Sequence, residues 1–289
     1  MAQPNGYHEE DIGNIIHLEH VNFCQPDQPK AIAFYIVGMG FTRDPYMTVG
    51  LNNMWVNVGE NQFHLPTRAA QVLDGHVGIV VPNLAALQER LDAVAGALEG
   101  TRFGFGSAGD YVKVTCPWGN EFHAYEPEER FGAMTLGIPY VEVNVKPNAA
   151  PGIARFYERV MGASADVDED AGGQFARVHI GERQELIFRE QPGERPPYDH
   201  YHVAVYVANF SGPYAFLNEH GLITEEPRNH QLRFESIVDP ESGETVATIE
   251  HEVRSLRHGM YRRNLVNRNA EQNMGAYVRG RDTLASAAS

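Results

Sequence analysis

An internal duplication is the feature that most constrains how this chain folds. At an offset of 122 residues, from position 20 to position 142, His20-Val21-Asn22 aligns with Glu142-Val143-Asn144. At the same offset the Phe-Tyr pair at 34–35 aligns with that at 156–157, with no gap between the two matches. A repeat of this length indicates that one structural unit occurs twice. The sequence therefore predicts two similar halves.

Each half contains one short pattern of elements twice. The first copy opens with the alternating stretch HLEHVNFC, which is typical of a strand. Apolar residues at Ile32, Tyr35, Ile36 and Met39 then have helical spacing, and the helix is expected to end at Gly40. Three further strand candidates follow before the pattern restarts near residue 75. The sequence thus predicts four β-α-β-β-β modules in succession.

Charge and length exclude several classes of protein. The 289-residue chain has 23 Lys and Arg against 38 Asp and Glu, a formal net charge of −15, which repels phosphate backbones and anionic lipid surfaces. No apolar stretch approaches the roughly 20 residues that a spanning helix requires. The N-terminus lacks the basic start and apolar run of a signal peptide. We expect a cytoplasmic protein with a small-molecule substrate, without a nucleic-acid or membrane partner.

Four histidines fall at comparable places in the first two modules. His20 and His76 lie on first strands, and His64 and His123 lie on last strands. Neutral imidazoles brought together from distant parts of a chain are common ligands of transition metals. Each histidine alone could be half-buried and bonded to a backbone carbonyl, but the joint placement of all four favours a metal site.

The order of elements resembles that of the vicinal-oxygen-chelate superfamily, which includes glyoxalase I, bleomycin-binding proteins and extradiol dioxygenases. The turn Cys116-Pro117-Trp118-Gly119 also looks like the Asp-Pro-x-Gly turn of that superfamily. The resemblance implies an α+β fold in which four βαβββ modules form two paired domains with cup-shaped mixed sheets. It also implies metal ligands on the first and last strands, here His20, His64, His76 and His123.

The repeat and the resemblance together predict domain bounds. We expect an N-terminal extension over 1–14, an N-terminal domain with the metal site over 15–127, a linker over 128–137, a C-terminal domain over 138–253, and a basic then flexible tail over 254–289. Two paired domains can close within one chain, while exposed sheet edges also allow a homodimer.

The C-terminal half carries a different set of ligand-type residues. The alignment places Glu142 at the His20 position and His202 at the His76 position, while Glu250 lies near the position of His123. These three residues could form a second site if the last strand contains a bulge. A degenerate copy with a structural role is the alternative that we favour.

An all-histidine shell would leave the +2 charge of a metal uncancelled and make it a strong Lewis acid. No glutamate occupies a ligand place in the N-terminal half, which weakens a glyoxalase-type reaction that needs a ligating carboxylate. We therefore expect a non-haem dioxygenase acting on a metal-chelating substrate with adjacent oxygens. Fe(II) is the favoured metal, with Mn, Ni, Zn or Cu as alternatives. A lyase, isomerase or epimerase, or a non-catalytic binding or resistance protein, are the other hypotheses.

Two further groups of residues carry weaker signals. Four aromatic residues could line the substrate site, although strand aromatics are more often core: Trp55, Phe63, Tyr111 and Tyr125. Five arginines follow the last strand in an otherwise acidic chain: Arg254, Arg257, Arg262, Arg263 and Arg268. We interpret them as a tail that binds acidic residues of the same chain or a neighbouring subunit, rather than as an anion-binding lid.

Overall fold

The computed structural model describes residues 11–47 and 52–267. Within them the β-α-β-β-β order occurs four times, as the sequence predicted. The strands of the first two modules are β1 (Ile15–Asn22), β2 (Thr42–Arg43), β3 (Asn53–Val58), β4 (Asn61–Pro66), β5 (Gly75–Val80), β6 (Gly104–Ala108), β7 (Tyr111–Thr115) and β8 (Glu121–Tyr125). Those of the last two are β9 (Gly137–Val145), β10 (Ala165–Asp170), β11 (Gly173–Gly181), β12 (Gln184–Glu190), β13 (His202–Val207), β14 (Ile223–Arg228), β15 (Gln231–Val238) and β16 (Thr245–Ser255).

One helix follows the first strand of each module. The four helices are α1 (Gln28–Ala31), α2 (Leu84–Val94), α3 (Ala150–Phe156) and α4 (Ser211–Glu219). Wider π-helical turns extend α1 over Ile32–Gly38 and α3 over Tyr157–Met161, and 3-10 turns occur at Ala95–Leu98 and Glu129–Phe131. The side chains of Asp27 and Asn83 accept hydrogen bonds from backbone N–H groups of the first turns of α1 and α2, which fixes where these helices begin. Among the described residues, no helix is long and apolar enough to cross a membrane.

The strands form two eight-stranded mixed sheets. One has the order β14-β15-β16-β13-β1-β4-β3-β2, and the other has the order β10-β11-β12-β9-β5-β8-β7-β6. The sequence predicted that the first module would share a sheet with the second. The sheets instead join the first module to the fourth and the second to the third. The repeat pattern defines the strands but leaves open which first strands pair, because that pairing is a contact between distant parts of the chain.

Contacts within the described residues divide the chain into two compact units. The first contains residues 11–18, 144–195 and 204–261, and the second contains 19–143, 196–203 and 262–267, apart from 48–51. Aromatic side chains form much of the buried core of each. In the second unit Phe63 packs against Phe23 and Phe122, and in the first Phe156 packs against Phe234.

A glycine allows the close approach of β5 and β9 in the second unit. Gly75 has φ +149°, and a Cβ atom at this position would lie 2.0 Å from the carbonyl oxygen of Glu142. Only a residue without a side chain fits this gap and this backbone conformation. The resulting register places His76 directly opposite Glu142.

His251 in the first unit is a buried structural residue. Its Nδ1 lies 2.8 Å from the Ile249 carbonyl oxygen, and its Nε2 lies 2.6 Å from the Tyr157 hydroxyl, so both ring nitrogens are satisfied when Nδ1 carries the proton. Its ring also stacks on Phe234, with the centroids 4.5 Å apart. Burial lowers the pKa of His251 to about 4, although the hydrogen bond to Ile249 acts in the opposite direction.

We expect the His251→Gln variant to be less sensitive to acid than the wild type. An unfolded histidine titrates near pH 6.5, so the wild type loses stability as pH falls from about 6.5 towards 4, by about 2 kcal/mol between pH 7 and pH 5 from this group. Glutamine can keep both hydrogen bonds without titrating. Urea unfolding at pH 7 and pH 5 measures the difference, and equal losses in both proteins would contradict the assignment.

Candidate metal centre

Three histidines from three strands meet on one sheet. His20 lies on β1, His64 on β4 and His202 at the start of β13, which is the neighbour of β1. In the parallel pair β1–β4, His20 lies opposite Gln62 and Asn22 lies opposite His64. Because alternate residues of a strand share a face, His20, Gln62 and His64 lie on the same side of the sheet. We call this side, together with Trp55 opposite His64 on β3, the histidine face.

The imidazole nitrogens are close enough to share one ion. The Nε2 atoms of His20 and His202 are 3.3 Å apart, and one ring nitrogen from each of the three histidines lies within 4.8 Å of the others. Metal–nitrogen bonds of about 2.1 Å would place two neighbouring ligands about 3.0 to 3.4 Å apart in octahedral or tetrahedral geometry. The His20–His202 separation falls in this range, so the residues fit a transition metal.

A carboxylate sets the proton position on His20. Nδ1 of His20 is hydrogen-bonded to a carboxylate oxygen of Glu19. An ionised carboxylate can only accept, so Nδ1 carries the proton and Nε2 of the neutral ring offers its lone pair. A metal-binding histidine commonly has such an acceptor on its second nitrogen. The same lone pair points towards His202 in this structure.

Burial and stacking hold the three rings in place. His20 is fully buried and His202 is 6% exposed, whereas His64 is half-buried. Trp55 stacks on His64 with ring centroids 4.0 Å apart and an interplanar angle of 13°, and it meets His20 edge-on at 4.9 Å. The tryptophan therefore restricts the orientation of two ligands and forms an apolar wall beside them.

The other two predicted ligands belong to a second cluster, on β5 and β8 of the other sheet. The rings of His76 and His123 stack with centroids 3.7 Å apart. Nε2 of His76 lies 3.2 Å from the Tyr140 hydroxyl, and Nδ1 lies 3.9 Å from a carboxylate oxygen of Glu142. Nε2 of His123 lies 2.8 Å from Glu121. In this arrangement both rings interact with protein groups on a polar, half-buried surface.

Charge and burial affect the groups of this second cluster in opposite ways. Burial lowers the pKa of His123, while the hydrogen bond to Glu121 raises it without reversing the shift. Burial also raises the pKa of Tyr140, reinforced by the neighbouring Tyr125, whose hydroxyl lies 3.0 Å from its own. The low pKa keeps His123 neutral near pH 7, and Tyr140 keeps its hydroxyl proton.

The structure changes the grouping of ligands that the sequence predicted. His20 and His64 meet His202 rather than His76 and His123. The proposed trio of Glu142, His202 and Glu250 does not form as one set, because Glu142 faces His76 and Glu250 forms an ion pair with Arg233. The physical reason is the pairing of first strands, which joins β13 to β1 and β9 to β5. The metal role of His76 and His123 stays a prediction.

The four aromatic candidates divide between site and core. Trp55 lies on the histidine face, and Tyr111 stacks on His123 at 4.2 Å in the second cluster. Tyr125 is 6% exposed and bonds through its hydroxyl to Tyr140. Phe63 is fully buried among aromatic rings, which corrects its prediction as a lining residue. Its position between Gln62 and His64 turns it to the opposite side of the strand.

Sequence reasoning missed two residues of these clusters. It set Glu19 aside because strand alternation separates it from His20, yet its carboxylate reaches the neighbouring imidazole. It also gave no role to Tyr140, which lies opposite Gly78 and occupies the space that a side chain there would take. An acidic residue next to a candidate ligand, and a glycine within an apolar strand, are the signals that could have identified them.

Comparisons with known proteins bear on the fold. No protein-family model and no curated protein matches the chain. Glyoxalase I from Zea mays is similar in structure with a TM-score of 0.55 and 14% identity, covering 86% of this chain and 94% of that chain. A protein from Bacillus subtilis described as a candidate dioxygenase gives a TM-score of 0.54 and 16% identity, covering 85% of this chain and 86% of that chain.

At these identities the likeness establishes the fold and nothing finer. It agrees with the four modules and the two mixed sheets of the described residues. The chain therefore has the paired βαβββ fold of glyoxalase I and the vicinal-oxygen-chelate proteins, which confirms the α+β class predicted from the sequence.

Proposed function

We propose that this protein is a metal-dependent enzyme that acts on a small organic substrate with two adjacent oxygen atoms, and that its reaction is of the dioxygenase type. The observation that carries the proposal is the convergence of three imidazoles, from His20, His64 and His202, on one point of the histidine face. Their ligand atoms lie within 4.8 Å of one another, although the residues are far apart in sequence.

His20, His64 and His202 would hold the metal through neutral nitrogens. A divalent cation bound there would supply Lewis acidity to adjacent oxygens of a substrate, and iron would in addition supply electrons for dioxygen chemistry. Fe(II) is the metal that we favour, while Mn, Ni, Zn and Cu suit the same nitrogen donors.

The protein groups around the three histidines have distinct tasks in this proposal. Glu19 keeps the proton of His20 on Nδ1, so that Nε2 stays a donor of electrons. Trp55 fixes the ring of His64 and offers an apolar surface to the body of a substrate. The full burial of His20 keeps water from one side of the centre.

The absence of a carboxylate from this three-residue group favours the oxygenase over an isomerase, whose proton transfer needs a base. Glu250, the nearest candidate by sequence, forms an ion pair with Arg233, and burial raises its pKa despite that arginine.

A lyase, isomerase or epimerase is the second candidate function, and one observation favours it. In the second cluster His76 lies 3.9 Å from the Glu142 carboxylate and 3.2 Å from the Tyr140 hydroxyl. A carboxylate, an imidazole and a phenol at these distances are groups that can donate and accept protons. This candidate would place the chemistry on the other sheet.

Several expectations about partners accompany the proposal. A small-molecule substrate, a cytoplasmic location and the lack of a nucleic-acid or membrane partner follow from the charge of −15. A homodimer stays a prediction that size-exclusion chromatography with light scattering can check.

We expect anaerobically purified protein to contain about one transition metal ion per chain, and the His20→Ala/His202→Ala double variant to lose it. Two of three ligands disappear in this variant, including the pair whose nitrogens are 3.3 Å apart. Elemental mass spectrometry measures the metal, and thermal unfolding checks that the variant folds.

The matched control is His76→Ala/His123→Ala, which removes the other stacked histidine pair. It should keep the metal. Loss of metal in the control alone would contradict the site, and wild-type protein without metal would leave a non-catalytic binder. Iron together with oxygen uptake on addition of catechol would support the dioxygenase, whereas another metal without oxygen uptake would favour the second candidate.

We expect Glu19→Gln to bind Zn²⁺ about 10- to 100-fold more weakly than wild type, because an amide is a poorer acceptor for the Nδ1 proton of His20. Titration calorimetry on protein freed of metal with a chelator measures the affinity. Glu99→Gln, at an exposed position in the same unit, is the control for the loss of one negative charge. Equal affinities for all three proteins would show that Glu19 does not support the site.

A further inference from the structure

The segment 262–267, which follows the last strand, contacts the first module within the second unit. The side chain of Asn267 holds the backbone of Gly59 at the β3–β4 turn: its Nδ2 donates to the carbonyl oxygen at 2.7 Å, and its Oδ1 accepts from the N–H at 2.9 Å. Asn57 on β3 donates to the carbonyl oxygen of Val266 at 2.9 Å. These bonds join the segment to the hairpin that carries His64.

Arg263 anchors the same segment to a buried carboxylate. Its Nη1 and Nη2 donate to Oδ1 and Oδ2 of Asp44 at 3.2 and 2.9 Å, and Nη2 also lies 3.3 Å from Oε1 of Gln62. Gln62 in turn donates to Asp44 at 3.1 Å. The Asp44 side chain has no exposed surface, whereas the Arg263 side chain keeps 21%. Of the five arginines in the predicted basic tail, Arg263 thus binds an acidic residue of its own chain, while Arg268 lies outside the described residues.

The hydrogen bonds to Asp44 outweigh the cost of its burial. Burial raises the pKa of the carboxyl, but the hydrogen bond from Arg263 and those from the backbone N–H groups of Met47 and Tyr46 bring it below its usual value. A buried ion pair of this kind is seldom a large net source of stability compared with apolar packing. A role in fixing the geometry of nearby groups is therefore worth considering.

Strand register places this ion pair beside the three histidines. Gln62 lies directly opposite His20 across β1–β4, and Asn57 lies opposite Gln62 across β3–β4. Gln62 and His64 are two residues apart and share the histidine face. The backbone N–H of Asp44 also donates to the carbonyl oxygen of Trp55 at 2.8 Å, and Trp55 is the residue that stacks on His64.

We propose that Arg263 is a positioning residue of the histidine centre. Through Asp44 it holds the strand segment that carries Trp55, and through Gln62 it holds the position opposite His20. The C-terminal segment is then a working part of the site. This inference rests on the proposed function, because the histidines need a fixed geometry only if they bind an ion.

The test compares Arg263→Met with Arg262→Met, which removes the preceding, exposed guanidinium. Methionine keeps most of the length of the side chain without its charge. Co²⁺ is titrated into protein freed of metal, and its visible absorption reports both affinity and ligand geometry. We expect Arg263→Met to bind Co²⁺ at least about tenfold more weakly, with an altered spectrum, as for other outer groups of metal sites. Arg262→Met should match wild type.

A second measurement does not depend on metal. Long-range ¹H–¹⁵N spectra of the histidine rings, recorded on metal-free protein, should show shifts at His20 and His64 in Arg263→Met and none in Arg262→Met. Arg263→Lys should lie between, because a lysine cannot bind Asp44 through two nitrogens. Thermal unfolding identifies any variant that fails to fold, for which Arg263→Lys takes its place in both measurements.

The outcomes separate the two proposals. If wild type binds Co²⁺ and Arg263→Met binds it equally well with the same spectrum, the positioning role is wrong and the metal site stands. If wild type binds no Co²⁺ but the histidine resonances shift in Arg263→Met alone, the metal-dependent function fails while the coupling of Arg263 to the histidines stands. A lower melting temperature with unchanged ring resonances and Co²⁺ binding would leave Arg263 with a purely structural role.

Discussion

Main-chain pairing between first strands is the constraint on which the rest of this structure depends. In each βαβββ module the last three strands form an antiparallel meander, and the first strand pairs with the last. The other edge of the first strand presents N–H and C=O groups that need a partner, and a first strand of another module supplies it. This pairing places β13 beside β1 and β9 beside β5. It thereby decides which side chains of distant segments face one another.

The two pairs of first strands have come to hold different chemistry. The β1 and β13 pair contributes His20 and His202, whose Nε2 atoms are 3.3 Å apart. The β5 and β9 pair contributes His76 and Glu142, with Tyr140 bonded to the imidazole. The first arrangement concentrates neutral nitrogen donors, which suits a cation. The second arranges an acid, a base and a phenol, which suits proton exchange or a structural polar network. One duplicated architecture can thus support two chemical environments.

The candidate centre also depends on residues that are not ligands. Glu19 sets the tautomer of His20, and Trp55 restricts the ring of His64. Behind them, Asp44 joins the strand next to Trp55 to Arg263 on the C-terminal segment. Buried polar groups are costly when incompletely paired, so a connected set of this kind has few alternative arrangements. That limits how far the three imidazoles can move relative to one another.

Local patterns in the sequence were sufficient for the elements of the fold and for the kind of residue at each strand. The 122-residue repeat, from His20 to Glu142, the alternation around His20 and His64, and the helical spacing from Ile32 to Met39 depend only on neighbours along the chain. They correctly indicated four βαβββ modules and strand positions for all the histidines of both clusters. Only the tertiary structure decided that His202 joins His20 and His64, that Glu142 faces His76, and that Arg263 reaches Asp44. The physical reason is that every first strand offers an equivalent hydrogen-bonding edge. The choice among such edges, like the choice of a carboxylate for an arginine, is made by packing between residues that are far apart in sequence.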